Sequence, residues 1–175
     1  RDNQAVTVWL APLTALALAE ADQPLPVLTD ELYADFFKTG NRLPFERPYF
    51  EPRRRLGRAA MAILLGDDDA RERLLDSFLR QLGDIMDETS WSLPAHVWTE
   101  PTGKNPLQID LFTAETANNL ADLLVVFSAL IPADLAQRIR TRLREQIFEN
   151  YVESRGPFTW LEITNNWNAV CHQVV

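Results

Sequence analysis

The sequence predicts an all-α fold. Apolar residues recur at helical spacing in several segments, prolines and glycines separate these segments, and no stretch shows the strict alternation of a half-buried strand. The chain has 175 residues, of which 46% are hydrophobic, so it can bury a core of ordinary size. We therefore expect antiparallel helix pairs within one domain that covers residues 1–175.

Two helices are predicted in the first forty residues. The first covers Leu13–Ala21 and has Pro12 in its first turn, where a proline is well tolerated. Two prolines after this helix break the pattern. Thr29 or Asp30 caps the second helix, which ends at Gly40 because glycine readily adopts the left-handed conformation found after a helix.

The prolines between Pro44 and Pro52 predict an interruption, and a further helix is predicted over Arg53–Leu65. The three aspartates at positions 67–69 then favour a helix start, since acidic side chains stabilise the positive end of the helix dipole. The apolar residues that follow at helical spacing are Leu74, Leu75, Phe78, Leu79, Leu82, Ile85 and Met86.

The second half of the chain predicts three more helices. The first covers residues 113–131 and is followed by a proline. In the second, apolar residues recur in steps of four from Leu135 to Tyr151, which is typical of an amphipathic helix. The last helix begins at Thr164 or Asn165, because both side chains can cap a helix N-terminus.

Composition excludes several classes of protein. The formal net charge of −8 argues against a nucleic-acid partner, which would need a basic surface. No apolar run reaches the length of a membrane span, so we expect no membrane insertion. The single cysteine, Cys171, rules out an internal disulfide and a cysteine-rich zinc site. We expect no metal and no cofactor, and the sequence carries no signal for the oligomeric state.

A long segment without helical pattern, Glu88–Phe112, joins two predicted helices. Connections longer than about 12–15 residues are uncommon in compact domains and are often functional. This one contains Trp91, His96 and Trp98, which makes it too aromatic for a simple disordered linker. The tryptophans either form a cleft wall that stacks on ligand rings or pack the segment onto the helices. The three residues are therefore candidates for substrate binding.

A second unusual segment is Trp160–His172, with the sequence WLEITNNWNAVCH. Asparagine is unfavourable inside helices, so three asparagines in this short stretch need polar partners. A cap uses one of them. The others serve a ligand, for which amide donors suit the carboxylate of an acidic sugar, or they belong to an ordinary polar helix start. We expect Trp91 and Trp98 to lie beside Asn165–Trp167.

Three segments together carry a resemblance to a known family. DETSWSLPAHVW, IDLFTAETANNLADLL and WLEITNNWNAVCH resemble, in this order, the heparinase II/III-like polysaccharide lyases and their alginate-lyase relatives. The resemblance covers most of the chain and is firmest over residues 87–172. It implies an incomplete α/α toroid of paired helices. The β-sandwich of complete members is not expected in this chain, which resembles the N-terminal part of a larger lyase.

The resemblance implies β-elimination on a uronic-acid-containing polysaccharide such as heparan sulfate or alginate. It implies that Asn166 binds the substrate carboxylate, with Asn165 and Trp167 beside it in the binding site. Several members have a histidine where this chain has Trp167, so His172 is the candidate to replace that histidine. The implied partner is an acidic polysaccharide or oligosaccharide. The implied location is periplasmic or secreted, with the cytoplasm as the alternative.

The family's catalytic tyrosine matches none of the tyrosines of this chain, which are Tyr33, Tyr49 and Tyr151. The resemblance therefore implies that the 175-residue chain alone has little or no lyase activity.

Two other functions remain open. An α/α-barrel glycoside hydrolase would use a carboxylate pair, for which Glu162 and Asp110 are candidates. A non-catalytic helical scaffold would bind carbohydrate or protein, although no internal repeat of fixed period supports it.

Overall fold

The computed structural model of the chain describes residues 4–97, 108–153 and 158–173. Every regular element in these ranges is helical and none is a strand, which confirms the predicted all-α class. No helix in the same ranges is long and apolar enough to cross a membrane. The α-helices are α1 (Gln4–Glu20), α2 (Asp30–Thr39), α3 (Leu43–Leu65), α4 (Asp68–Asp87), α5 (Leu111–Val126), α6 (Ala133–Leu143), α7 (Asn150–Val152) and α8 (Asn166–His172).

The chain divides into two compact units. The first contains the described parts of residues 1–27 and 47–87, and the second contains those of residues 28–46 and 88–175. In the first unit α1 packs against α4, and the buried Ser77 hydroxyl donates to the Ala21 carbonyl at 3.0 Å. Arg58 on α3 donates two hydrogen bonds to the Glu20 carboxylate at 2.8 and 2.7 Å. The arginine-rich part of α3 is thus joined to α1 by a bidentate ion pair.

Prolines do not end the helices where the sequence predicts. The expected interruption between Pro44 and Pro52 is absent, because α3 runs through it with Pro48 and Pro52 inside the helix. Likewise α1 already begins at Gln4 and contains Pro12 in its interior. Each proline removes one backbone hydrogen bond. Pro48 and Pro52 are four residues apart, so their missing bonds fall along one side of α3 while the rest of its ladder persists.

The predicted helix caps are present. The Thr29 hydroxyl accepts a hydrogen bond from the first turn of α2. Gly40 follows the same helix with φ of 69°, and its N–H donates to the Phe36 carbonyl at 2.7 Å. The sequence predicts only an acidic helix start at positions 67–69, and there the Asp67 carboxylate also caps α4 by accepting from the Ala70 N–H at 2.8 Å. These ends are decided by side chains adjacent to them in sequence, which is why the sequence predicts them.

In the second unit α5 packs against α6 and α8, and α2 packs against a 3-10 turn at Pro94–His96. A π-helical segment, Arg144–Glu149, joins α6 to α7 without a break. The buried stripe from Leu135 to Ile147 repeats every four residues, slightly more than the roughly 3.6 residues of an α-helical turn. The wider π turn offsets this drift and keeps the stripe facing the interior.

Candidate functional site

The candidate site of the second unit is built around Asp110. This residue is the N-cap of α5, and its side chain is fully buried. One carboxylate oxygen accepts the Thr113 N–H at 2.7 Å, as expected of an N-cap. The other oxygen accepts the Leu93 N–H at 3.1 Å and contacts the His96 Nδ1 at 2.7 Å. Asp110 therefore fixes the long connecting segment to the start of α5.

His96 lies on the 3-10 turn with only 7% of its surface exposed. A carboxylate accepts hydrogen bonds, so the Nδ1–H of His96 donates to Asp110. The other ring nitrogen, Nε2, lies 3.3 Å from a terminal guanidinium nitrogen of Arg42, which can only donate. The contacts thus match one neutral tautomer, with the proton on Nδ1 and a lone pair directed at Arg42.

The His96 ring contacts two aromatic side chains. Phe112 stacks on it, with ring centroids 5.5 Å apart and ring planes 8° apart. Trp167 of α8 meets it in an edge arrangement at 4.6 Å and 66°. The aromatic segment and the amide-rich start of α8, which the sequence singled out separately, are therefore in contact through His96 and Trp167. Trp167 is itself partly exposed.

The two candidate asparagines at this end of α8 differ in their roles. Asn165 is the N-cap, and its side-chain oxygen accepts the Trp167 N–H at 3.0 Å. Asn166 is the first residue of the helix and is exposed. Because Asn165 performs the capping, the Asn166 amide is not needed for that task. It lies directly beside Trp167 in the sequence.

Trp91, one of the two tryptophans of the connecting segment, packs into the interior of the second unit. Trp91 is fully buried, with the Arg142 guanidinium 4.1 Å above its ring centroid. Arg142 also donates to the Glu88 carbonyl at 2.7 Å. These contacts attach the segment to α6 and correspond to the packing alternative for Trp91. Trp98 lies outside the described residues.

His172 belongs to a different cluster. It is exposed, its Nδ1 lies 2.7 Å from the Asn168 carbonyl, and its Nε2 lies 3.1 Å from the Tyr151 hydroxyl. The Trp160 ring packs edge-on against it at 5.2 Å. Asn166 and His172 are six residues apart, which places them about 120° apart around α8. The two candidate catalytic residues thus lie on different sides of this helix.

The two candidate carboxylates of the hydrolase alternative have different surroundings. Both oxygens of the fully buried Asp110 are occupied by hydrogen bonds, whereas Glu162 is exposed. Cys171 is buried as well. Burial, with a smaller contribution from the charge of Asp110, raises its pKa to about 12, so the thiol stays protonated near neutral pH.

Sequence reasoning did not single out Arg42 or Tyr151 as parts of these clusters, and it considered Asp110 only for hydrolysis. Asp110 has the position of a helix N-cap before an apolar run, which is a usable signal. Arg42 has no comparable signal.

No known family model matches this chain, and no curated protein matches it.

Proposed function

We propose that this chain is the N-terminal α/α-toroid part of a polysaccharide lyase that cleaves uronic-acid-containing polysaccharides by β-elimination. The observation that carries the proposal is the contact between His96 and Trp167, next to the exposed Asn166. It supports a single binding surface made of a partly exposed aromatic ring and an exposed amide, with the buried imidazole in contact with that ring. Heparan sulfate and alginate are the substrate classes proposed, and a periplasmic or secreted location follows from polymers of that kind.

In the proposed reaction, a base removes the proton on C5 of the uronate and an acid protonates the departing glycosidic oxygen. Negative charge on the carboxylate group grows as C5 loses its proton. The Asn166 amide donates a hydrogen bond to that carboxylate, so the interaction strengthens in the transition state. Trp167 provides an apolar face for the sugar ring. Asn166 therefore acts only as a hydrogen-bond donor, and its side chain neither gains nor loses a proton.

The test of this function is turnover by the full-length protein on a panel of alginate, heparan sulfate and chondroitin chains, followed by the absorbance of the unsaturated uronate product. Asn166→Ala should lower turnover by about 100- to 1000-fold, corresponding to roughly 2.7–4 kcal/mol. The effect should appear more in kcat than in substrate binding, since the amide acts most strongly in the transition state.

The matched control is Asn118→Ala. Asn118 is an exposed asparagine on α5 that bonds only weakly to Asp122, at 3.3 Å, so its loss should leave turnover unchanged. Near-native turnover of a folded Asn166→Ala protein would remove Asn166 from the site. Failure of the native protein to cleave any uronate polymer would refute the lyase assignment as a whole.

A further inference from the structure

We propose that Arg42 is an anion-binding residue that takes the carboxylate of an acidic sugar, and that Asp110 and His96 position its guanidinium for this purpose. The inference rests on the proposed substrate class but not on catalysis, because it concerns ground-state binding. It assigns a role to Arg42, which no sequence pattern indicates and which the proposed elimination step does not use.

The first argument is the supply of donors at Arg42. Its side chain is 49% exposed, and a guanidinium carries five N–H donors. Its Nε donates to Glu46, and one terminal nitrogen donates to His96. Among the described residues no partner is found for its other N–H groups. The half-exposed side chain of Arg42 thus keeps charged N–H donors for an anion.

The second argument is that this guanidinium is held in place. Arg42 is bonded at two points, and the His96 end of the arrangement continues into the fully buried Asp110. Long arginine side chains ordinarily lose conformational freedom when they bind a ligand, which weakens binding. Prior fixation by Glu46 and His96 lowers that cost.

The third argument is the surrounding surface. His96 contacts both Arg42 and the partly exposed Trp167, so cation and aromatic ring flank the same imidazole. A sugar ring offers an apolar face for the ring and a carboxylate for the cation. In a chain with net charge −8, an anionic ligand needs a local positive group of this kind.

The test is calorimetric titration of the chain with a mannuronate tetrasaccharide and with its carboxyl-reduced, neutral counterpart. Arg42→Gln should weaken binding of the acidic tetrasaccharide by about 10- to 100-fold, as expected for loss of hydrogen bonds to a charged group. Binding of the neutral counterpart should be unchanged by the substitution. The affinity of Arg42→Lys for the acidic tetrasaccharide should lie between those of the native chain and of Arg42→Gln, because lysine keeps the charge but lacks the planar fork.

The control is Arg54→Gln. Arg54 is 52% exposed and paired with a glutamate, Glu51, so it matches Arg42 in exposure and in having one carboxylate partner. Its substitution should leave the affinity unchanged. If Arg42→Gln binds the acidic tetrasaccharide as well as Arg54→Gln does, the role of Arg42 is wrong while the proposed function stands. If the native chain binds no acidic oligosaccharide at all, both are wrong.

The positioning role is tested by His96→Gln in the native and Arg42→Gln backgrounds. We expect His96→Gln to weaken binding of the acidic tetrasaccharide only while Arg42 is present. Equal losses in both backgrounds, or an equal loss for the neutral sugar, would make His96 merely structural. A sulfated, carboxylate-free oligosaccharide distinguishes the anion: tighter binding of sulfate than of carboxylate at Arg42 would overturn the uronate assignment.

Discussion

The two histidines of the chain have the same type of hydrogen bonding but opposite surroundings. Each bonds through Nδ1 to an oxygen and through Nε2 to a second polar group. His96 is buried, and its partners are a carboxylate and a guanidinium. His172 is exposed, and its partners are a backbone carbonyl of its own helix and the phenol of Tyr151.

This difference indicates which of the two arrangements contributes more to the stability of the fold. A buried polar network stabilises the fold only when all its members are satisfied, and it is strongly destabilising when one is removed. The His96 network brings together three separate parts of the second unit, at Arg42, the 3-10 turn and the start of α5. The hydrogen bonds of His172 are one within α8 and one to Tyr151 on α7, so they join fewer parts of the structure.

The largest expected effect is that of Asp110→Ala. It leaves the backbone N–H groups of Leu93 and Thr113 and the imidazole of His96 without their acceptor in the interior. Each buried donor left without an acceptor costs about 1–3 kcal/mol, so we expect the free energy of unfolding to fall by about 3–5 kcal/mol. Urea denaturation followed by circular dichroism measures this change.

The control for that prediction is Asp67→Ala at the N-terminus of α4. Asp67 is likewise a capping aspartate, but among the described residues its side chain makes a single hydrogen bond, to the Ala70 N–H at 2.8 Å. Its loss should cost about 1 kcal/mol, the usual value for a helix cap. Similar costs for the two aspartates would show that the Asp110 network adds nothing beyond capping.

The next largest effect on stability is expected from alanine substitutions of the two histidines. His96→Ala should lower the free energy of unfolding by about 2–3 kcal/mol, because it leaves the buried Asp110 with one bond fewer and opens space beside Phe112. His172→Ala should change it by roughly 0.5 kcal/mol or less, as expected of an exposed side chain. Parallel thermal denaturation of the two variants checks the difference, and a larger loss at His172 would reverse the comparison.

The sequence predicts what is decided locally. The helical class and the caps at Thr29, Gly40, Asp67 and Asn165 all follow from residues within a turn of each feature. The prolines of α3 show the limit of such rules, since flanking helix formers outweigh the loss of single hydrogen bonds.

The candidate site is predicted only in part. The sequence points to His96, Asn166 and Trp167 as separate candidates, because aromatic and amide residues are conspicuous in irregular segments. It does not predict that His96 meets Trp167 or that Arg42 reaches the imidazole. These contacts join residues as far apart as 54 and 71 positions, and they depend on the path of the backbone between them.

The central claim, that an acidic sugar binds beside His96, is tested most directly by proton–nitrogen correlation NMR of the imidazole nitrogens. With two histidines in the chain, each signal can be assigned by one His→Gln variant. Addition of the mannuronate tetrasaccharide should shift the His96 Nε2 signal in a saturable manner, because its partner Arg42 engages the carboxylate, and should leave the His172 signals in place. A shift confined to His172, or no shift at either histidine, would contradict the account.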